Sequence, residues 1–315
     1  MTSGEKFSVV DLFSGCGGLS LGFERAGFDV LCGLDNWGCA VDTYNANFNH
    51  VCMNVDLGDV ESVLDVLYPF FYQADGVRPG IIGGPPCQDF SSAGKRSEGA
   101  RAGMTEKFAD FVSWFQPGFV VMENVPQAIK AESYQKALSI MRNAGYFVDT
   151  VVLDASKCGV PQRRKRLFAL AFKDKDALDR VMNLLTSEQD NVSMTVRDYF
   201  GDSLEFEHYY NPPRSYARRG VFSVDEPAPT IRGVNRPVPP GYVSHRGDTA
   251  PINGVRALTY RERAKIQTFP ADFEFVGSKT NVEQLIGNAV PVNLGWFVAD
   301  KVRRVLDEGG SFGMG

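Results

Sequence analysis

Cys87 stands in Gly83-Gly84-Pro85-Pro86-Cys87-Gln88, directly after the apolar run Gly80-Ile81-Ile82. Two glycines admit close approach of a ligand or another backbone, and two prolines fix φ and remove donors, so the thiol is aimed rather than left mobile. A cysteine so placed is either a nucleophile or a buried structural thiol. Glu123 ends a second apolar run, Phe119 to Met122, where burial raises a carboxyl pKa so that it can carry a proton near neutrality. A thiol and an acid at neighbouring strand ends supply a nucleophile and a proton donor to a planar electrophile. A buried carboxylate paired with Arg or Lys is the other reading of Glu123.

A second set of residues points to a cofactor. Asp11-Leu-Phe-Ser-Gly-Cys-Gly-Gly18 puts three glycines between a strand and a helix, so backbone can approach a ligand at the helix amino end. It is not the G-x-G-x-x-G dinucleotide pattern. Asp35 and Asp56 end the next two strands, and an acid at the second strand tip is placed to accept from ribose hydroxyls. Any one such acid is more often a strand end or a helix cap. The three in register suggest an adenosine-containing cofactor.

These residues need a scaffold that brings strand ends together. Short apolar strands are expected at Phe7–Leu12, Val30–Leu34, Val51–Val55, Gly80–Ile82 and Phe119–Met122, alternating with helical stretches at Leu19–Ala26, Cys39–Asn47, Val60–Leu67 and Glu106–Phe115. That alternation implies a doubly wound parallel sheet. A helix at Tyr134–Ala144 leads to two strands, Phe147–Leu153 and Leu167–Phe172, separated by a basic loop, which finish the sheet. After a helix near Ala177–Leu185, Pro, Gly and Arg become frequent and apolar periodicity fades between Pro212 and Asn253. Helical pattern returns at Thr259–Ile266 and Val292–Leu306, the latter amphipathic enough to pack back on the sheet.

The 315 residues are 43% apolar, ordinary for a globular chain with a sizeable core. No apolar run reaches membrane-spanning length and the first residues lack a signal-peptide pattern, so the expectation is a cytoplasmic protein without membrane contact. Six cysteines without C-x-x-C spacing and only three histidines argue against a metal site or a disulfide framework. The net charge of −5 hides an asymmetry: Lys157 to Arg263 holds 18 Lys+Arg against 13 Asp+Glu. Between Asn183 and Arg263 every Lys/Arg position is arginine, the side chain suited to phosphate and guanine edges.

Six segments, GPPCQ at 84–88, ENV at 123–125, DLFSGCGG at 11–18, QRRKR at 162–166, RERAKIQTFP at 261–270 and IGNAVP at 286–291, together resemble the DNA (cytosine-5) methyltransferases of the bacterial and phage modification type. They match in order and spacing and cover nearly the whole chain apart from one variable stretch. The resemblance implies an α/β fold: a Rossmann-like S-adenosylmethionine-dependent methyltransferase sheet with helices on both faces, plus a smaller, irregular, mostly β target-recognition domain. The catalytic domain is expected over residues 1–182, completed by 283–315, and target recognition over 183–282.

The same resemblance implies the roles. Cys87 adds to carbon 6 of a flipped cytosine, Glu123 bonds ring nitrogen 3 and the exocyclic amine, and carbon 5 then takes the methyl group of S-adenosylmethionine. Arg166 contacts the cytosine carbonyl oxygen, and Arg164 touches phosphate or organises the site. Phe13, Ser14, Gly15, Cys16, Gly17, Gly18 and Leu19 line the cofactor site with Asp35, Asn36, Asp56 and Leu57. Pro85 and Met104 border it, and Asn288, Ala289 and Val290 close it. Double-stranded DNA is the partner, touched by Gln88, Ser91, Lys95, Arg96 and Arg101 on a loop closing over 88–103. Arg214, Arg218, Arg219, Thr230 and Arg232 touch it from the recognition region. A monomer is expected, with a cognate restriction endonuclease or defence-system component as a candidate partner whose existence the sequence leaves open.

Two other readings share the architecture. A transfer-RNA cytosine methyltransferase would carry a Cys-Phe-Thr segment, which is absent, and an idle binding protein would lack Cys87 or Glu123, which are present.

Overall fold

A computed structural model describes residues 7–72, 78–86, 103–215 and 218–309. The first half alternates as β1 (Ser8–Leu12), α1 (Gly18–Arg25), β2 (Asp29–Asp35), α2 (Gly38–Asn45), β3 (Cys52–Asn54), α3 (Val60–Phe71), β4 (Gly80–Gly83), α4 (Met104–Phe115), β5 (Phe119–Asn124) and α5 (Glu132–Asn143). β6 (Phe147–Asp154), β7 (Gln162–Arg163), β8 (Lys165–Phe172) and α6 (Lys175–Ser187) follow. One seven-stranded sheet has the order β3-β2-β1-β4-β5-β8-β6.

The sheet is covered on both faces, which is why its central strands read as continuous apolar runs. Alternation along each strand still sorts the residues. Val9, Ile82, Val121 and Leu170 face one core, shared with Phe23 of α1, Val181 of α6 and the long C-terminal helix. Val10, Ile81, Val120 and Met122 face the other, filled by Val63 and Leu67 of α3, Phe108 and Phe111 of α4 and Leu138 of α5.

One expectation is corrected. β8 runs antiparallel to both β5 and β6, so the sheet is not wholly parallel. The physical reason is the connection over residues 155–164, which holds a short 3-10 turn and β7 but no crossover helix to return the chain. The expected basic loop is also partly strand: Gln162–Arg163 pairs with β11 (Ala228–Pro229), and β8 already begins at Lys165.

Beyond α6 the elements are short: α7 (Val196–Phe200), β9 (His208–Tyr210) paired with β10 (Val221–Ser223), then β11 and α8 (Tyr260–Ile266). α9 (Lys279–Asn288) and α10 (Val292–Glu308) complete the chain. α8 starts on a capping box, Thr259 with Glu262, and is tied to α9 by a buried ion pair between Arg263 and Glu283. A third apolar cluster joins Phe222, Ile231 and Leu285 to Cys16 of the glycine loop. The expected domain boundaries at 182/183 and 282/283 both fall inside helices, α6 and α9, and Leu185 of α6 sits in the sheet core. Among the described residues no helix is long and apolar enough to cross a membrane.

Candidate active site

Strand register builds the site. Leu34, Leu12, Gly83 and Met122 lie side by side across β2, β1, β4 and β5. The next residue on each strand, Asp35, Phe13, Gly84 and Glu123, therefore forms a row along the carboxyl edge of the sheet, where doubly wound folds bind their ligands.

At one end of the row, Asp35 holds the glycine loop. Its Oδ2 accepts the Gly15 N–H at 2.8 Å and its Oδ1 the Trp37 N–H at 2.9 Å. Desolvation pushes the Asp35 pKa up, opposed by those backbone bonds. The loop needs left-handed backbone: Phe13, Gly15 and Gly17 have φ of 59°, 56° and 88°. Phe13 is the costly one, because a bulky side chain disfavours positive φ.

Beneath the loop, Asp11 is buried, its Oδ2 accepting from Ser20 Oγ at 2.6 Å, and Tyr44 Oη donates to the same hydroxyl at 2.7 Å. Tyr44 also meets His50 Nδ1 at 3.3 Å, and His50 Nε2 meets Glu24 at 2.9 Å. Oδ1 of Asp11 has no hydrogen-bond partner among the described residues, and desolvation raises this carboxyl to about 7.

Asp56 follows β3, whose Asn54 pairs with Asp35. Asp56 Oδ1 accepts the Gly58 N–H at 2.9 Å, and Met104 packs against the same glycine, so Asp56 and Met104 share one corner. The C-terminal segment closes from the other side. A β-carbon on Gly18 would stand 2.2 Å from the Val290 carbonyl oxygen, so only glycine permits that approach. Asn288 is exposed at the end of α9. Leu19 and Leu57 have side chains buried in the two cores, which leaves their main chain to face a ligand.

At the other end of the row, Glu123 Oε1 pairs with Arg166 Nε at 2.8 Å, with side chains 12% and 14% exposed. Desolvation raises the Glu123 pKa, and the charges of Arg166 and Arg164 pull it back. Its Oε2 would lie 3.1 Å from a β-carbon on Gly84, which places the carboxyl against the Gly84-Pro85-Pro86 segment. Asn124, missed by the sequence reading, fixes that segment: its Nδ2 donates to the Pro85 carbonyl at 3.1 Å. Cys87, Gln88, Ser91, Lys95, Arg96 and Arg101 lie outside the described residues, as does all but the last residue of the expected closing loop.

Arg164 is almost fully buried between β7 and β8. Nη1 donates to the Ile231 carbonyl at 2.9 Å, and Nη2 to those of Gly287 and Ala289 at 3.0 Å. In this arrangement its guanidinium is turned to main-chain carbonyls and away from solvent. Gln162 and Gln267, also missed, extend the junction: their side chains bond each other at 2.7 Å, Gln162 accepts the Ile231 N–H at 2.8 Å, and Gln267 donates to Ile286 and Ala289 carbonyls at 2.5 and 3.2 Å. Their signal was present, since both stand inside the quoted motifs, but a motif does not say which polar side chain faces inward.

Thr230 Oγ1 donates to the Arg163 carbonyl at 2.8 Å, and Arg232 to that of Pro212. Arg214, Arg219, Thr230 and Arg232 line one cleft with Arg163 and Arg218. Desolvation lowers the Arg232 pKa, with further lowering from Arg214 and Arg236.

The family pattern described as C-5 cytosine-specific DNA methylase matches residues 7–304. The type II methyltransferase M.HgiDI of Herpetosiphon aurantiacus is 48% identical over 301 residues, 95% of each chain. M.HindV of Haemophilus influenzae is 48% identical over 296 residues, 93% of this chain and 95% of its own. Among solved structures, the S. pombe Dnmt2 methyltransferase matches with a TM-score of 0.68 over 98% of this chain and 100% of its own, at 18% identity, a likeness of fold.

Proposed function

This chain belongs to the C-5 cytosine-specific DNA methylase family, and from that premise we propose that a cytosine flipped from duplex DNA is held beside Glu123, attacked at carbon 6 by Cys87 and methylated at carbon 5. The observation that carries the assignment of roles is the Glu123–Arg166 pair pressed against Gly84-Pro85-Pro86, one residue short of the thiol.

The chemistry follows from the groups. A free thiol near pKa 8.5 is only a few per cent thiolate at pH 7, so positive charge or bound substrate must activate Cys87. Glu123, kept acidic enough by Arg166 and protonated easily enough by burial, hydrogen-bonds ring nitrogen 3 and the amine, and stabilises charge as sulfur adds. Arg166 has donors left for the cytosine carbonyl oxygen. Carbon 5, made nucleophilic, gains the methyl group; its proton then leaves, the carbon–sulfur bond breaks and the ring is restored.

S-adenosylmethionine, when bound, supplies that methyl group from a sulfonium. The residues fit it: Asp35 keeps free lone pairs beside two backbone bonds, Asp56 offers a second oxygen for an amine, and Phe13 to Leu19 with Asn36, Leu57, Pro85, Met104 and Asn288 to Val290 complete the enclosure. The region after α6, up to α9, serves target recognition, with Gln88, Ser91, Lys95, Arg96 and Arg101 closing on DNA from the catalytic side. The type II naming of both relatives supports a short double-stranded site and a cognate endonuclease.

The test is to treat plasmid DNA with purified protein and map 5-methylcytosine at base resolution. Modification at one short site, abolished in Cys87→Ala, supports the proposal. No 5-methylcytosine from the wild type, or undiminished product from Cys87→Ala, sinks it.

A further inference from the structure

A cleft of ≈ 550 Å³ opens beside β7 and β11, lined among others by Arg163, Arg214, Arg219, Phe222, Thr230 and Arg232. One of its arginines is held unlike the others. The Arg219 guanidinium carbon lies 4.3 Å from the centroid of the Phe222 ring, and its Nη2 is 2.5 Å from Glu226 Oε2. Glu226 is itself fixed: Oε1 accepts the Ser223 N–H at 3.4 Å, its carbonyl accepts the Val196 N–H at 3.3 Å, and Arg163 Nη1 stands 3.7 Å away. The backbone after Arg219 is pinned as well, since Gly220 and Val221 donate to Asp248 Oδ1 at 2.9 and 3.0 Å.

We propose that Arg219 reads the major-groove edge of one guanine in the recognition site, and so determines sequence specificity; the inference rests on the DNA-methylating reading above. A guanidinium paired with a carboxylate has lost most of its long-range pull on phosphate, yet it keeps its short-range donors. One bond from Nη2 spends one of the two hydrogens there, and whichever is spent, a complete two-hydrogen edge of the fork remains. Among the described residues no hydrogen bond engages Nε or Nη1 of Arg219. Guanine offers O6 and N7 as paired acceptors to such an edge. The aromatic face and Glu226 set the plane in advance, so little rotamer freedom is lost on binding. Arg214 and Arg218, by contrast, are exposed and form no ion pair among the described residues, which suits phosphate contact.

The placement matters for the reaction. β11 pairs with Gln162–Arg163 of β7, and Thr230 bonds the Arg163 carbonyl, so the cleft abuts the short strand that leads through Arg164 into β8, which presents Arg166 to Glu123.

The test uses the full chain and duplexes carrying its mapped site, with 7-deazaguanine, which lacks N7, replacing each guanine in turn. The wild type is expected to lose roughly 10- to 100-fold in kcat/KM at one guanine. Arg219→Met, which keeps an unbranched apolar side chain beside Phe222, should show no further loss on that duplex while responding like the wild type to replacement at every other guanine, and base-resolution mapping should show relaxed preference at that position alone. A wild type indifferent to 7-deazaguanine at every position overturns the inference without recourse to any variant. So does Arg219→Met that keeps the wild-type site and slows uniformly, or that loses as much again on the sensitive duplex. Absence of 5-methylcytosine from the wild type would instead strike the methylating reading itself.

Discussion

Arg166 and Glu123 leave the ends of adjacent antiparallel strands and meet in an ion pair of 2.8 Å that is shielded from solvent. The pair sets two opposed influences on one carboxyl. Burial favours its proton, and the guanidinium favours its charge.

Removing the guanidinium removes an influence that lowers the pKa, so Glu123 titrates higher in Arg166→Gln than in the wild type. The limb of the kcat–pH profile governed by this carboxyl should move upward, with turnover down roughly 10²- to 10⁴-fold. Stability should respond in the same sense. A folded-state carboxyl pKa raised above the unfolded value gives stability that is present at low pH and lost as pH rises. Breaking the pair should therefore cost about 3 kcal/mol at pH 8 and less at pH 5, measured by urea unfolding. An unmoved pH profile would contradict the pairing's role.

Arg164 joins the QRRKR segment to the carbonyls of Ile231, Gly287 and Ala289. Arg164→Met deprives the buried Ile231 and Gly287 carbonyls of a donor, leaves Ala289 with Gln267 alone, and should destabilise by about 3 kcal/mol. Because Ile231 adjoins the recognition cleft and Ala289 the glycine loop, KM for DNA and for the methyl donor should rise together. A rise in only one would show that the junction does not couple them.

Asn124 bonds the carbonyl two residues before Cys87. Asn124→Ala should cost about 1 kcal/mol of stability. Turnover should fall by far more, on the order of 10²-fold, because a small misplacement of an attacking group is expensive. Chemical denaturation and single-turnover kinetics on the same preparations separate the two effects.

Asp11 is raised to about 7 by burial, and its Oδ1 is unpaired among the described residues. The unfolded chain ionises this carboxyl near pH 4, so the folded state loses stability as pH climbs from about 4 to about 7. Asp11→Asn removes that penalty and should flatten the pH dependence, with a gain above pH 7 of up to roughly 4 kcal/mol. Melting temperatures of the two proteins at pH 5 and pH 8 test this: parallel curves would refute it.

Much of this site could be read from residue order. Asp35 and Glu123 each end an apolar run, and parallel strands with regular crossovers bring such ends to one edge, so the two ends of the row along β2, β1, β4 and β5 were legible. The reversal of β8 was not, because an apolar run covered on both faces carries no mark of direction. Helix α9 was also missed; Lys279–Asn288 mixes buried Val282 and Leu285 with polar residues, and its buried Glu283 is held by Arg263 of α8 and by Asn235, both brought in by folding. The same limit hid Asn124, Gln162 and Gln267, whose partners are carbonyls or side chains brought in by folding. Arg219 was read as a DNA contact from the resemblance and the arginine-rich composition of its region; Phe222 and Glu226, which orient it, came only with the three-dimensional arrangement.

Covalent addition of Cys87 to carbon 6 can be caught on a duplex carrying 5-fluorocytosine at the mapped position. Fluorine at carbon 5 cannot leave as the proton does, so the methylated adduct cannot release the thiol. With S-adenosylmethionine present, the wild type should form a denaturation-resistant complex of mass equal to protein, modified strand and one methyl group, with the linkage mapped to Cys87; Cys87→Ala should form none. A Cys87→Ala protein that traps the duplex, a linkage at any other residue, or no adduct from a wild type that methylates the unfluorinated site would contradict the account.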